Sequence, residues 1–177
     1  MSLKEYRANL MERTFARAER FEVTINAFGG QAGRDVELFC EEVQIPGAIL
    51  SNKEYNVGPW TFFRNTKLGF LGNEINFTFL TTNDWLLRGE CEKWIASCVN
   101  PNSQEVAYPI SIFSTVQIKC LDMQDNVTKA WTLHEAMPKV LNLVPLSYGT
   151  TSAVRNTLIM SAAYWESDTL SSIYSGG

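Results

Sequence analysis

Residues 73–100 read NEINFTFLTTNDWLLRGECEKWIASCVN, and the fold turns on the change of period inside them. Up to Leu80 the period is two. Ile75, Phe77 and Phe79 alternate with Glu74, Asn76 and Thr78, which puts the apolar set on one face of a half-buried strand. After Asn83-Asp84 the period lengthens: Leu87, Cys91, Trp94, Ile95 and Cys98 share one helical face. Asn83 or Asp84 supplies an N-cap, and Asn100-Pro101-Asn102 stops the run. A helix over DWLLRGECEKWIASCV is expected, and within the body of the chain it is the one convincing helix.

Outward from this stretch the chain reads as strands. Phe21, Val23, Ile25 and Ala27 alternate with Glu22, Thr24 and Asn26; Gly29-Gly30 and Gly33 follow as a turn. Val36, Leu38 and Cys40 then alternate with Asp35, Glu37, Phe39 and Glu41, so a β-hairpin over 21–44 is expected. Residues 45–72 read as a long connection, broken at Ile45-Pro46-Gly47 and Gly58-Pro59 and carrying Tyr55, Trp60, Phe62, Phe63 and Phe70. Connections of that length in a compact domain are functional or ordered by a partner. Past the helix, Pro109 opens an expected strand with Ile110, Ile112, Val116, Ile118 and Cys120 on one face. Asp125-Asn126 turns the chain into Val127–Leu133, a short strand and loop occupy 140–150 after Met137-Pro138, and Val154–Trp165 forms the last strand. Strands around one helix predict a mainly β fold, a small barrel or sandwich of antiparallel strands with one packed α-helix. The expected organisation is an N-terminal arm over 1–18, a single domain over 19–166 and a polar tail over 167–177.

The 177 residues are enough for one hydrophobic core. With 45% hydrophobic and 19% charged residues, the composition is that of a globular chain. No apolar run approaches the ~20 residues of a membrane helix, and no membrane insertion is expected. The first residues, MSLKEYRANLMERTFARAER, lack an apolar segment followed by a small-residue cleavage site. Synthesis in a reducing cytoplasm is therefore expected, with Cys40, Cys91, Cys98 and Cys120 as small apolar residues rather than disulfide partners. The formal charge is −4 with only 15 Lys and Arg. Arg7, Arg13, Arg17 and Arg20 are interleaved with Glu5, Glu12 and Glu19, the pattern of a solvated helix. Tight DNA binding, which needs clustered cations, is not expected.

Catalytic and cofactor chemistry finds little support. The chain has a single histidine, His134, and no Gly-x-Ser-x-Gly elbow, so a nucleophile–base pair has one possible base. There is no C-x-x-C and no H-E-x-x-H, which leaves Cys91 and Cys98 as core residues of the helix. The glycines at 29, 30 and 33 lie between expected strands, where a phosphate-cradling loop would need a strand and a helix. No catalytic residue, metal site or cofactor is expected.

The order of features resembles the tail tube proteins of contractile-tailed bacteriophages. Four segments carry the likeness: ARAERFEVTI, ELFCEEVQIPGAI, NEINFTFLTTNDWLLRGECEKWI and EAMPKVLNLVPLSYGTTSAVRNTLIMSAAYWE. They span roughly residues 16–166. The aromatic-rich stretch 46–72 and the tail past Glu166 depart from the family pattern. The resemblance implies a structural subunit, not an enzyme, whose hexameric rings stack into a tube inside a contractile sheath. It implies a place in the virion tail, with the baseplate, tape measure and tail terminator proteins as further partners and DNA passing through without specific binding.

Under that resemblance Glu22, Thr24, Asn26, Asp35 and Glu37 are candidates to face the lumen; solvated strand faces are the other reading. Phe15, Ile45, Pro46, Ile49, Leu50, Tyr55, Trp60 and Phe63 are candidates for contacts between subunits or rings, with local core packing as the alternative. Within the structural class, a baseplate tube initiator or the inner tube of a related injection or secretion system remains open. Outside it stand a monomeric ligand-binding β-barrel with aromatics around a cavity and, last, a small hydrolase.

Overall fold

The computed structural model describes residues 15–71, 74–149 and 152–168. The arm expected at the N-terminus, up to residue 14, and the tail from residue 169 lie outside the described residues. Nine strands and three helices follow in chain order: β1 (Phe21–Ile25), α1 (Gly30–Phe39), β2 (Cys40–Val43), β3 (Gly47–Val57), β4 (Trp60–Leu71), β5 (Glu74–Leu80), α2 (Leu86–Cys98), α3 (Pro109–Ile112), β6 (Ser114–Leu121), β7 (Val127–Leu141), β8 (Arg155–Ser161) and β9 (Tyr164–Ser167).

All pairing is antiparallel. One sheet runs β1-β6-β7 with β9 on the far side of β7; β7 continues into a second sheet ordered β7-β8-β5-β2; among the described residues β3 and β4 pair only with each other. The two large sheets share β7, whose first part pairs with β6 up to Ala136 and whose last part pairs with β8 from Met137. At the changeover the ladder shifts register, and Glu135 adopts φ 53°. A bulge of this kind sharpens local twist and lets one strand turn the corner between sheets.

The facing sides of the sheets form the core. Val23, Ile25, Val116, Ile118 and Leu133 come from the first sheet, and Ile75, Phe77, Phe79, Leu158 and Met160 from the second, all at 0–1% exposure. The period-two reading of β1, β5 and β6 is thus realised in three dimensions. Helix α2 closes one end with Leu87, Cys91 and Trp94, the face expected from its spacing. Trp94 donates its indole N–H to the Ile112 carbonyl at 3.0 Å and meets Phe28 edge-on with centroids 5.5 Å apart. The N-cap position is Trp85, at φ 55° and without a side-chain cap, rather than the expected Asn83 or Asp84; Asp84, one residue earlier, accepts from the Leu86 N–H at 3.3 Å. Burial pushes the Cys91 and Cys40 thiols up to about 12, which keeps both protonated at neutral pH.

Four readings need correction. Residues 30–39 form a helix, not the second strand of a hairpin. The alternation Val36-Leu38-Cys40 is coincidental, because Leu38 is 72% exposed whereas Ala32, Asp35 and Val36 are buried at helical spacing. Strand β1 pairs with β6 and not with residues 34–44, and β5 pairs with β8 and β2. Residues 109–112 form a short helix with Pro109 at its first turn, leaving Ile110 90% exposed, so β6 starts at Ser114. The expected connection over 45–72 is instead a hairpin of 11 and 12 residues, β3 and β4, joined by a two-residue turn that Gly58 opens at φ 59°. Two further strand readings are adjusted: β7 extends unbroken to Leu141, and the last strand divides into β8 and β9.

A part-buried polar network holds α2 to the second sheet. Arg88 donates through Nη1 to Asn156 Oδ1 at 2.6 Å and through Nε to Glu92 at 2.9 Å; Asn156 donates to Thr81 Oγ1 at 2.5 Å. Asn156 is 5% exposed, so Asn156→Ala leaves a guanidinium partly unsatisfied. A loss of about 1–3 kcal/mol is expected, visible as a lower urea midpoint at unchanged slope. An unchanged midpoint would show that the network contributes nothing.

Candidate assembly surfaces

Four-stranded antiparallel sheets leave two edges each. Among the described residues β1 pairs only with β6, and β2 only with β5, so both present unpaired backbone groups. Helix α1 connects these two edge strands directly, β1 to β2, and crosses the seam between the sheets. Glu37 reaches from α1 to the Thr24 hydroxyl at 3.5 Å. Below the seam a cleft of ≈ 330 Å³ opens between Phe21 and Ile118 on one side and Val43 and Ile45 on the other.

The β3–β4 hairpin is the second surface. Its root is tied to the body where the Trp165 indole N–H donates to the Gly47 carbonyl at 3.1 Å. Beyond that root its residues are exposed along the length of β3 and through Leu68 on β4. Cross-strand partners share a face. Val57 with Trp60 and Tyr55 with Phe62 form one apolar cluster near the tip, while Phe63, Leu50 and Leu68 lie on the opposite face. An isolated two-stranded ribbon is marginal in water, and eight large apolar side chains exposed on both faces mark a surface built to be covered. Two smaller apolar patches lie elsewhere, Leu143, Leu146 and Tyr148 after β7, and Val106, Tyr108 and Ile110 around α3.

The contact candidates divide accordingly. Ile49, Leu50, Tyr55, Trp60 and Phe63 are exposed on the hairpin, Ile45 is exposed at its root and Phe15 is exposed near the N-terminal edge of the described chain. Pro46 is buried and offers no contact surface in the protomer. Sequence reading missed Val57, Phe62 and Leu68, whose signal was the turn at Gly58-Pro59 flanked by apolar residues on both sides.

The lumen candidates do not share one strand face. Glu22 and Thr24 project from the solvent side of β1, Asn26 follows β1 as an exposed residue, and Glu37 is exposed on α1. Asp35 is 4% exposed and accepts from Gln31 at 2.9 Å, so it presents no charge to solvent. Glu22 lies 3.6 Å from Lys119 on β6, which offsets the acidity expected of that face. His134 sits on β7, stacked on Tyr164 with centroids 4.7 Å apart, its Nε2 3.6 Å from Glu166. No cluster of three His, Cys, Asp or Glu side chains among the described residues is placed to hold a metal.

The family profile described as phage tail tube protein matches residues 5–167, nearly the whole chain. The chain belongs to the phage tail tube protein family. It is a structural subunit of a tail tube. No curated protein sequence matches it, but solved structures do. One, from the anti-feeding prophage baseplate, is 14% identical with a TM-score of 0.63 over 88% of this chain and 96% of that one. A second, from the sheath-tube complex of an extracellular contractile injection system in its extended state, is 13% identical with a TM-score of 0.65 over 95% and 98%. A third, from the tube-terminating cap of the anti-feeding prophage, is 12% identical with a TM-score of 0.65 over 88% and 92%. At such identities these likenesses establish the shared fold.

Proposed function

We propose that this tail tube protein closes into hexameric rings that stack into the inner conduit of a phage tail, inside a contractile sheath, and that it performs no catalysis. The observation that carries self-assembly is the hairpin with uncovered apolar residues on both faces. Free edges support ring closure, because a four-stranded antiparallel sheet ends on strands of opposite direction and joins the next copy without breaking the alternation. Six copies give ~24 strands, and at ~4.8 Å spacing and ~40° tilt the barrel is roughly 45–50 Å across, wide enough for a channel. Glu22 and Thr24 are the proposed wall residues, with Asn26 and Glu37 beside them. Paired with Lys119, Glu22 leaves that wall close to neutral, suited to DNA that slides without sticking. The sheath, baseplate, tape measure and terminator are the proposed partners, and host cytoplasm the place of synthesis.

The test is negative-stain electron microscopy with light scattering over a concentration series, with and without purified baseplates as templates. Rings or hollow tubes are the expected result. A monodisperse monomer at every concentration and on every template would sink the proposal and favour a monomeric barrel. The interior argues against that outcome, since Phe77, Phe79 and Met160 fill it at 0–1% exposure.

A further inference from the structure

Charge is distributed unevenly between the hairpin and the body. Lys53, Arg64 and Lys67 against Glu54 give the hairpin two net positive charges, and since the chain totals −4 the remainder carries −6. Pairing is uneven too. Arg17, Arg20, Arg88, Lys93, Lys119, Lys129, Lys139 and Arg155 each meet a carboxylate within the protomer. Among the described residues the cations without such a partner are Arg34 and the three on the hairpin.

Those three also share a face. Lys53 is paired in register with Arg64, and Ser51 with Lys67, two and four residues behind the Tyr55–Phe62 pair, so all three cations lie on the side that carries Val57, Trp60, Tyr55 and Phe62. Lys53 lies 5.5 Å from the Tyr55 ring centroid. The opposite face holds the hairpin's only acid, Glu54. One side of the arm is thus an aromatic tip backed by three uncompensated cations.

The seam cleft has the complementary order. Its apolar lining is Phe21, Val43, Ile45 and Ile118, and Glu41, Glu42 and Arg17 line it as well, Arg17 being paired with Glu19 at 3.4 Å. Arg155 occupies Glu41 at 2.6 Å, but Glu42 is exposed and its carboxylate has no hydrogen-bond or ionic partner among the described residues.

We infer that the cationic, aromatic face of the hairpin docks into the β1–β2 seam cleft of a second copy of this chain, with the aromatic tip against the apolar lining and Lys53 and Arg64 against Glu42. The inference rests on the tube reading above and names the acceptor that the hairpin needs there. Donor and acceptor are different surfaces, so the contact is heterologous and repeats from subunit to subunit. Charge placed this way fixes orientation and register as well as affinity.

Charge reversal tests it on the full chain. Arg64→Glu, Lys53→Glu and Glu42→Arg are each expected to raise the concentration at which tubes appear about tenfold, and added salt to raise it further for the wild type. Combining Glu42→Arg with Arg64→Glu or with Lys53→Glu is expected to return that concentration to near the wild-type value. Thermal melts should be unchanged, since none of the three has an ionic partner inside the protomer. Failure of both combinations to recover assembly overturns the inference while the tube reading stands, as does capture of duplex DNA by the wild type that Arg64→Glu abolishes with tubes unaffected. Absence of tubes from the wild type itself overturns both.

Discussion

Replacing residues 49–68 by a Gly-Gly turn is expected to leave the sandwich folded and to abolish tube formation at concentrations where the full chain assembles. The cut spares Gly47 and its bond from Trp165, and it removes no residue of the hydrophobic core. The melting temperature of the body should therefore hold. What is lost is contact between copies. The hairpin exposes Ile49, Leu50, Tyr55, Val57, Trp60, Phe62, Phe63 and Leu68. Burying a side chain of this kind stabilises by ~1.5–3 kcal/mol, so covering half of them contributes about 6–12 kcal/mol. Association costs an estimated ~4–15 kcal/mol in lost freedom. The two ranges overlap, so the hairpin decides whether assembly occurs without being sufficient for it, and strand edges have to join as well. Sedimentation and electron microscopy of the shortened chain read the outcome directly. Normal tubes from it would show that the arm is dispensable.

Phe77→Ala should have the largest effect on the protomer itself. Phe77 is fully buried, lies parallel to Phe79 with centroids 6.4 Å apart, and stands in register with Leu158 on one side and Val43 on the other. Truncating such a residue costs about 3–5 kcal/mol, because the cavity is only partly refilled. Domains have a total stability of about 5–15 kcal/mol, so the variant is left close to unfolding. At about 2–4 °C per kcal/mol for a chain of this size, calorimetry should show a fall of roughly 6–20 °C. A fall of only a degree or two would mean that the two sheets close over the gap, and that the core is less rigid than its burial implies.

The residues that gave away the fold were those whose burial is decided locally. Ile75, Phe77 and Phe79 alternate because β5 is covered on one face only, and Leu87, Cys91 and Trp94 keep helical spacing because α2 buries one stripe. Helix α1 carried both signals at once. Ala32, Val36 and Phe39 are spaced for a helix, yet Val36, Leu38 and Cys40 alternate, and three nearby glycines argued for a turn; packing of the helix across the seam settled a choice that local pattern left open. The β3–β4 hairpin was illegible as strands for a different reason. Period two requires one wet face and one dry face, and here apolar residues stand on both. Its abundance of aromatics was legible as an anomaly, which is how Trp60 and Phe63 were found. Its cationic face was not, since that face exists only once Lys53 and Arg64 are in register. The pairing of β1 with β6 and of β5 with β8 joins residues about 95 and 80 apart in the chain, beyond the reach of any local pattern.

The passage of β7 through both sheets has a mechanical consequence. In a sandwich whose sheets are joined only by loops, a pull on one sheet against the other is resisted by side-chain packing alone. Here the backbone of a single 15-residue strand crosses from one ladder to the other at Ala136–Met137. A tensile load applied to the first sheet reaches the second along covalent bonds, and separating the layers means stripping β7 from β6 or from β8, several hydrogen bonds at a time. The protomer therefore carries load as one piece, a property that matters in a wall built by repeating it many times.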